Sequence, residues 1–201
     1  MHPAPDLAVL TRWSRILTAL AVAVVLATAG LIGLGATRAE AQPTASDWYT
    51  VQSRHSGLVL DIQGASTATG AILTQYTDWE GTNQQFRFID LGTGYYKIQV
   101  RHSGLVLDVW NLSTANGATI AQYTDLGGAN QQWRVTKDSA GYYSIISRHS
   151  GKALDVYNWS TSAGSQIVQY TPTGASNQQW SLNPVAANCG TDTVLAGIDE
   201  A

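Results

Sequence analysis

The chain has 201 residues, 44% of them hydrophobic and only 12% charged, with 11 Lys and Arg against 14 Asp and Glu. A net charge of −3 without a basic run excludes a phosphate-backbone binder, so no nucleic-acid partner is expected. One cysteine, Cys189, excludes an intrachain disulfide framework.

Arg12 and Arg15 precede a nearly continuous apolar and small-residue run from Ile16 to Ala36, and Ala39-Glu40-Ala41 follows as an A-x-A cleavage site. Residues 1–41 therefore read as a signal peptide, and the chain is expected to be secreted, beginning at Gln42. An uncleaved anchor is the alternative, since the run approaches the roughly 20 residues that span a bilayer. Cleavage removes Arg12, Arg15, Arg38, Asp6 and Glu40, leaving 8 basic and 12 acidic residues, a balance of −4, and no membrane partner.

The remainder is organised by repetition. RHSG begins at Arg54, Arg101 and Arg148, a step of 47 residues each time, and the QYT blocks at Gln75, Gln122 and Gln169 and the NQQ blocks at Asn83, Asn130 and Asn177 keep that step. Repeats of about 47–93, 94–140 and 141–187 follow without insertions, and 16 of their 47 positions are identical in all three copies. Units this small cannot each bury an apolar face, so one domain over 42–187 is expected.

Each copy is predicted to hold four short strands. In the middle copy, Tyr95–Val100 alternates, His102-Ser103-Gly104 turns the chain, and Leu105–Val109 resumes it as a hairpin. Ala118–Tyr123 and Gln132–Val135 supply the third and fourth strands, with polar loops between. No segment has helical periodicity, so the class is all-β, and about twelve strands in three equal units hide their edges most economically by closing on themselves. Gly57, Gly104 and Gly151 fit turns that need positive φ. Phe86, Trp133 and Trp180 recur at one strand position and are expected in the core. His55, His102 and His149 lack further repeated ligands and read as turn residues rather than a metal site. Asn111-Leu-Ser and Asn158-Trp-Ser match the glycosylation sequon.

The pattern R-H-S-G-x-x-L-D-[IV], S-T, Q-Y, N-Q-Q-[WF], three times over about Asp47 to Ala187, closely resembles the ricin-B-type β-trefoil lectins and carbohydrate-binding modules, in particular their disulfide-poor bacterial branch. The resemblance implies a β-trefoil of pseudo-threefold symmetry. It also implies sugar sites at Asp61, Tyr76, Asn83 and Gln84, at Asp108, Tyr123, Asn130 and Gln131, and at Asp155, Tyr170, Asn177 and Gln178. The implied roles are hydroxyl acceptor for Asp, stacking platform for Tyr, direct polar contact for Asn, and support of the Asp for the first Gln. These residue types suit a pyranose, whose C–H face stacks on a ring and whose hydroxyls donate to a carboxylate. The second glutamines, Gln85, Gln132 and Gln179, read as structural.

The chain departs from many relatives two residues before the platform, where Thr74, Ala121 and Val168 replace a glutamine and one polar contact is missing. Asn111 and Asn158 offer an added contact. The first copy has Gly64 there, and Trp79 gives it a further ring near the platform. The expected function is a monomeric, secreted, carbohydrate-binding protein without cofactors, metal or catalysis, acting through up to three weak sites on galactose-, xylose- or arabinose-containing glycans. A targeting module of a larger glycoside hydrolase, and a protein-binding trefoil such as a protease inhibitor, are the alternatives. The only trefoil glutamate, Glu80, has Asp78 beside it in one copy alone, which does not make a repeated catalytic pair. Residues 188–201, with the lone thiol of Cys189, read as a tail or truncated linker.

Overall fold

The computed structural model describes residues 42–44 and 46–186. The expected signal segment 1–41, Cys189 and the tail 188–201 lie outside them. Among the described residues are twelve strands and six short 3-10 turns, the strands being β1 (Tyr49–Ser53), β2 (Val59–Ile62), β3 (Leu73–Tyr76), β4 (Phe86–Asp90), β5 (Tyr96–Val100), β6 (Val106–Val109), β7 (Ala118–Tyr123), β8 (Trp133–Lys137), β9 (Tyr143–Ser147), β10 (Ala153–Val156), β11 (Ile167–Tyr170) and β12 (Trp180–Pro184). The middle-copy expectations hold to within a few residues. The six 3-10 turns were not expected, because three-residue turns leave no periodicity to read.

Six strands form a closed antiparallel ring, β1–β4–β5–β8–β9–β12 and back to β1. Its seam is an ordinary pair, with Tyr49 opposite Pro184 and Ser53 opposite Trp180. The other six make hairpins β2–β3, β6–β7 and β10–β11, which meet one another through Ile72 and Ala121, Thr119 and Val168, and Thr74 and Gln166. A barrel closed at one end by three hairpins is the β-trefoil. Closure removes the long free edges that twelve strands would otherwise expose.

Alternation sets the core. β5 and β9 both run buried, half-buried, buried, half-buried, buried, as strands with one face inward do, while β2, β6 and β10 are buried throughout because they are packed on both sides. Phe86, Trp133 and Trp180 are fully buried in one apolar cluster, as the recurrence predicts, and Trp133 and Trp180 each donate their indole N–H to a backbone carbonyl at 3.3 Å. Gly57, Gly104 and Gly151 hold φ of 72°, 72° and 69°, the left-handed turn the RHSG block needs.

The repeats interlock in a ring. Gln122 donates to the carbonyls of Ser66 and Ala68 in the first copy, Gln169 to those of Ser113 and Ala115 in the second, and Gln75 to those of Ser160 and Ser162 in the third, all within 2.8–3.1 Å. Each of these glutamines is fully buried and also accepts from the serine of its own RHSG block. The histidines do more than turn the chain: His55, His102 and His149 place Nε2 within 2.9 Å of the carbonyls of Trp159, Ser66 and Leu112 in the preceding copy. The second glutamines are structural as expected, accepting from Arg101, Arg148 and Arg54 of the next copy in the cycle.

Candidate functional site

The residues of the expected sites come together once per copy. Asp61, Asp108 and Asp155 lie mid-strand in β2, β6 and β10 and are 4–5% exposed. Burying a carboxylate is costly unless it is hydrogen-bonded. The Asn-Gln pair of each NQQ block, held by its 3-10 turn, meets that need. Asn83, Asn130 and Asn177 donate Nδ2 to Asp Oδ2 at 2.8–2.9 Å, and Gln84, Gln131 and Gln178 donate Nε2 to the same oxygen at 2.8–2.9 Å. In the second and third copies these side chains, not the backbone of the following loop, supply the carboxylate's hydrogen bonds. In those two copies the other oxygen, Oδ1, has no hydrogen bond to a described residue.

Both amide protons of each of these glutamines are used. Gln84 also donates to the carbonyl of Thr77 and accepts from the amide of Trp79, and Gln131 and Gln178 repeat this with Thr124 and Leu126 and with Thr171 and Thr173. They orient the aspartate and fix the loop after the platform, and they keep no donor for a ligand.

The aspartates open onto hollows of about 300, 470 and 180 Å³ in the first, second and third copies. Tyr76 and Tyr170 line theirs and are 46% and 41% exposed, so they do not pack inward. Tyr123 is half-buried because Trp110 meets it edge to face at 5.8 Å. Burial holds all three aspartates above the ordinary carboxylate pKa, partly offset by the Gln and Asn side chains that donate to them.

The departures from the family pattern have structural reasons. Thr74, Ala121 and Val168 are buried, and Thr74 donates its hydroxyl proton to the carbonyl of Asp61, so this position offers a ligand no hydrogen-bond donor. Asn111 and Asn158 line their hollows but also hold φ of 55° and 53°, the left-handed conformation Gly64 adopts at 64° in the first copy. Asparagine and glycine are the residues that tolerate it best. Trp79 shares a hollow with Tyr76 as expected.

Sequence reasoning missed most of the rim. Gln63, Trp110 and Tyr157 follow the aspartate by two residues and form a wall that differs in every copy, with Leu112, Trp159, Leu126 and Thr173 beyond it. Each rim is also a joint between copies: Gly164 of the third lines the hollow of the first, and Gly70 of the first lies against Trp110 of the second. The available signal was two surplus tryptophans, Trp110 and Trp159, in a loop otherwise polar.

The profile of the ricin-type β-trefoil lectin domain-like family matches residues 38–123 and 129–195. No curated protein sequence matches the chain. Among solved structures, a designed threefold-symmetric protein, ThreeFoil, is 52% identical with a TM-score of 0.68, covering 69% of this chain and 99% of that one. An exo-β-1,3-galactanase from Clostridium thermocellum is 40% identical with a TM-score of 0.69 over 72% of this chain, which spans only 31% of the enzyme. The ricin B-like lectin of Macrolepiota procera, solved with lactose, shares the fold at 20% identity and a TM-score of 0.62, covering 71% of this chain and 99% of the lectin.

Proposed function

As the chain belongs to the ricin-type β-trefoil lectin domain-like family, we propose that it is a secreted carbohydrate-binding protein without catalysis of its own, acting through up to three sites on one polysaccharide or glycoconjugate. One observation carries the reading. In every copy a nearly buried aspartate has Oδ2 held by two amide donors at a hollow that an adjacent tyrosine ring lines, and in the second and third copies Oδ1 has no hydrogen bond to a described residue. That supplies an oriented acceptor for a sugar hydroxyl and a face for its C–H groups.

Each site is small and open to solvent, so a single sugar is expected to bind with Kd near ~0.1–1 mM, about −4 to −5.5 kcal/mol. Three sites on different repeats cannot share one short oligosaccharide. A branched or insoluble polysaccharide engages them together, and later contacts then form at high effective concentration. A second reading, a targeting module within a larger glycoside hydrolase, is supported by the galactanase, of which a chain like this one makes up under a third. It makes β-1,3-galactan the first polysaccharide to test.

The test is titration of residues 42–187 with lactose and sedimentation with insoluble β-1,3-galactan and xylan. Binding to at least one ligand is expected, and the Asp61→Ala, Asp108→Ala, Asp155→Ala triple variant should lose it. A folded triple variant that still binds would place the sugar elsewhere.

A further inference from the structure

The three sites share their floor but not their cover. Both Nδ2 protons of each site asparagine are used, one on Asp Oδ2 and one on the carbonyl of Ile62, Val109 or Val156 at 3.2–3.4 Å. A flipped amide would set its oxygen against two acceptors, so Oδ1 is the only atom the asparagine has left for a ligand. That oxygen points at the residue two positions earlier. A methyl group on Gly81 would stand 2.6 Å from Asn83 Oδ1, and one on Gly128 would stand 2.5 Å from Asn130 Oδ1. The third copy has Ala175 at this position, and its backbone has moved to φ −76° and ψ 162° from the −65° and 154° of Gly128.

The outcome differs in each copy. Asn83 Oδ1 and Asn177 Oδ1 are buried without a partner, whereas Asn130 Oδ1 is not, and Asn130 is 8% exposed against 2% and 4%. In the first copy the cover is Trp79. Its ring occupies the space a methyl on Gly81 would need, it lines the hollow that Asp61 opens onto, and its side chain is among the hydrogen-bonding groups that counter the upward effect of burial on Asp61. The second and third copies have Leu126 and Thr173 there, which cannot supply an indole N–H.

We propose that Trp79 is a built-in ligand of the first site, with its indole N–H at the Asp61 carboxylate and its ring over Gly81 and Asn83, so that the open site at Asp108 and Asn130 is the principal sugar site. This rests on the carbohydrate-binding reading above. Trp79 takes the acceptor that a sugar hydroxyl would use, so a ligand at the first site must first displace a hydrogen bond. The second site asks for no such exchange, and its hollow is the largest of the three, about 470 Å³. Trp79 thus acts against the first site, in contrast to the added platform its position in the sequence suggests.

Two measurements test this, one of them without any sugar. The indole N–H resonance of Trp79, identified by its loss in Trp79→Phe, is expected to shift in Asp61→Asn and not in Asp108→Asn; an unmoved resonance in Asp61→Asn overturns the contact. For binding, Asp108→Ala with Asp155→Ala leaves only the first site. Adding Trp79→Ala to that pair is expected to tighten lactose binding about tenfold, the size of one hydrogen bond to a charged group. Unchanged or weaker binding overturns the proposal and makes Trp79 a platform after all. In the complementary chain carrying Asp61→Ala and Asp155→Ala, Gly128→Ala should weaken lactose binding about tenfold by covering Asn130 Oδ1. Ala175 already occupies the equivalent place in a folded repeat, so loss of binding there is not loss of fold. If the unaltered chain binds neither lactose nor any polysaccharide, the carbohydrate reading falls, while the resonance still decides the Trp79 contact.

Discussion

Gln122 Nε2 lies 2.8 Å from the carbonyl of Ser66, a residue of the preceding copy, in the loop that follows the wall of the first candidate site. The glutamine belongs to the second repeat and serves the first. The same reach recurs from Gln169 to Ser113 and from Gln75 to Ser160, so the loop beside each hollow is held by the next repeat in the cycle.

Gln122→Ala is therefore expected to lower stability by about 1–3 kcal/mol, because the carbonyls of Ser66 and Ala68 and the hydroxyl of Ser103 lose a buried partner together. Chemical denaturation measures the loss. Faster amide exchange should appear around residues 66–70, not around 113–117; the reverse pattern would refute the direction of the brace.

Trp133→Ala should cost about 3–5 kcal/mol, the range for truncating a fully buried aromatic, and unfolding should remain one cooperative transition, since the three copies share a single apolar cluster. Trp79→Ala, at a position 56% exposed, should cost less, no more than about 1.5 kcal/mol, the lower end for a hydrogen bond to a charged group. Two resolved transitions for Trp133→Ala would mean the repeats do not share a core.

Acid is expected to move binding and stability in opposite directions. Asp108 has its pKa raised in the folded chain, chiefly by burial and against the pull of Gln131 and Asn130. Between its ordinary value near 3.8 and the raised one, the folded state holds more protons than the unfolded state, so stability falls as pH rises through that window. Asp61 and Asp155 act in the same sense. Sugar binding needs the ionised acceptor and should fade as pH drops through the raised value, earlier than for an exposed aspartate. Lactose titration and thermal unfolding over one pH series check both slopes, and parallel slopes would exclude these aspartates as the titrating groups.

Asp108→Ala should remove the strongest lactose-binding step and leave any weaker one unchanged, while binding to insoluble polysaccharide falls several-fold without vanishing. Equal loss on both ligands would mean that one site acts alone and that multivalency contributes nothing.

What the three copies have in common was legible without coordinates. The glycine at positive φ, the ring at Phe86, Trp133 and Trp180, and the Asp, Tyr, Asn and Gln of each site all lie in or beside the positions that comparison of copies marks out. The same comparison hides whatever differs, and the rim is where the copies differ: Gln63, Trp110 and Tyr157 occupy one place with three chemistries. Gln75, Gln122 and Gln169 were visible as landmarks, but their partners lie 54–87 residues away in another copy, a separation no local pattern encodes. The direction of the Trp79 ring depends on the bare Cα of Gly81, a packing fact that only the fold discloses.

The seam between β1 and β12 pairs five residues with five, as β4 does with β5 and β8 with β9. The barrel therefore has no privileged starting repeat, and the place where the chain is cut is separable from the shape it makes. A circular permutant that opens the turn between β4 and β5, near Gly92, and bridges Val185 to Thr44 with a short glycine linker should fold to the same ring. Its two ends would then emerge beside Tyr96, a third of a turn round the barrel from the present seam. The hollows could in this way be presented to a surface in a new orientation without altering a single residue that lines them.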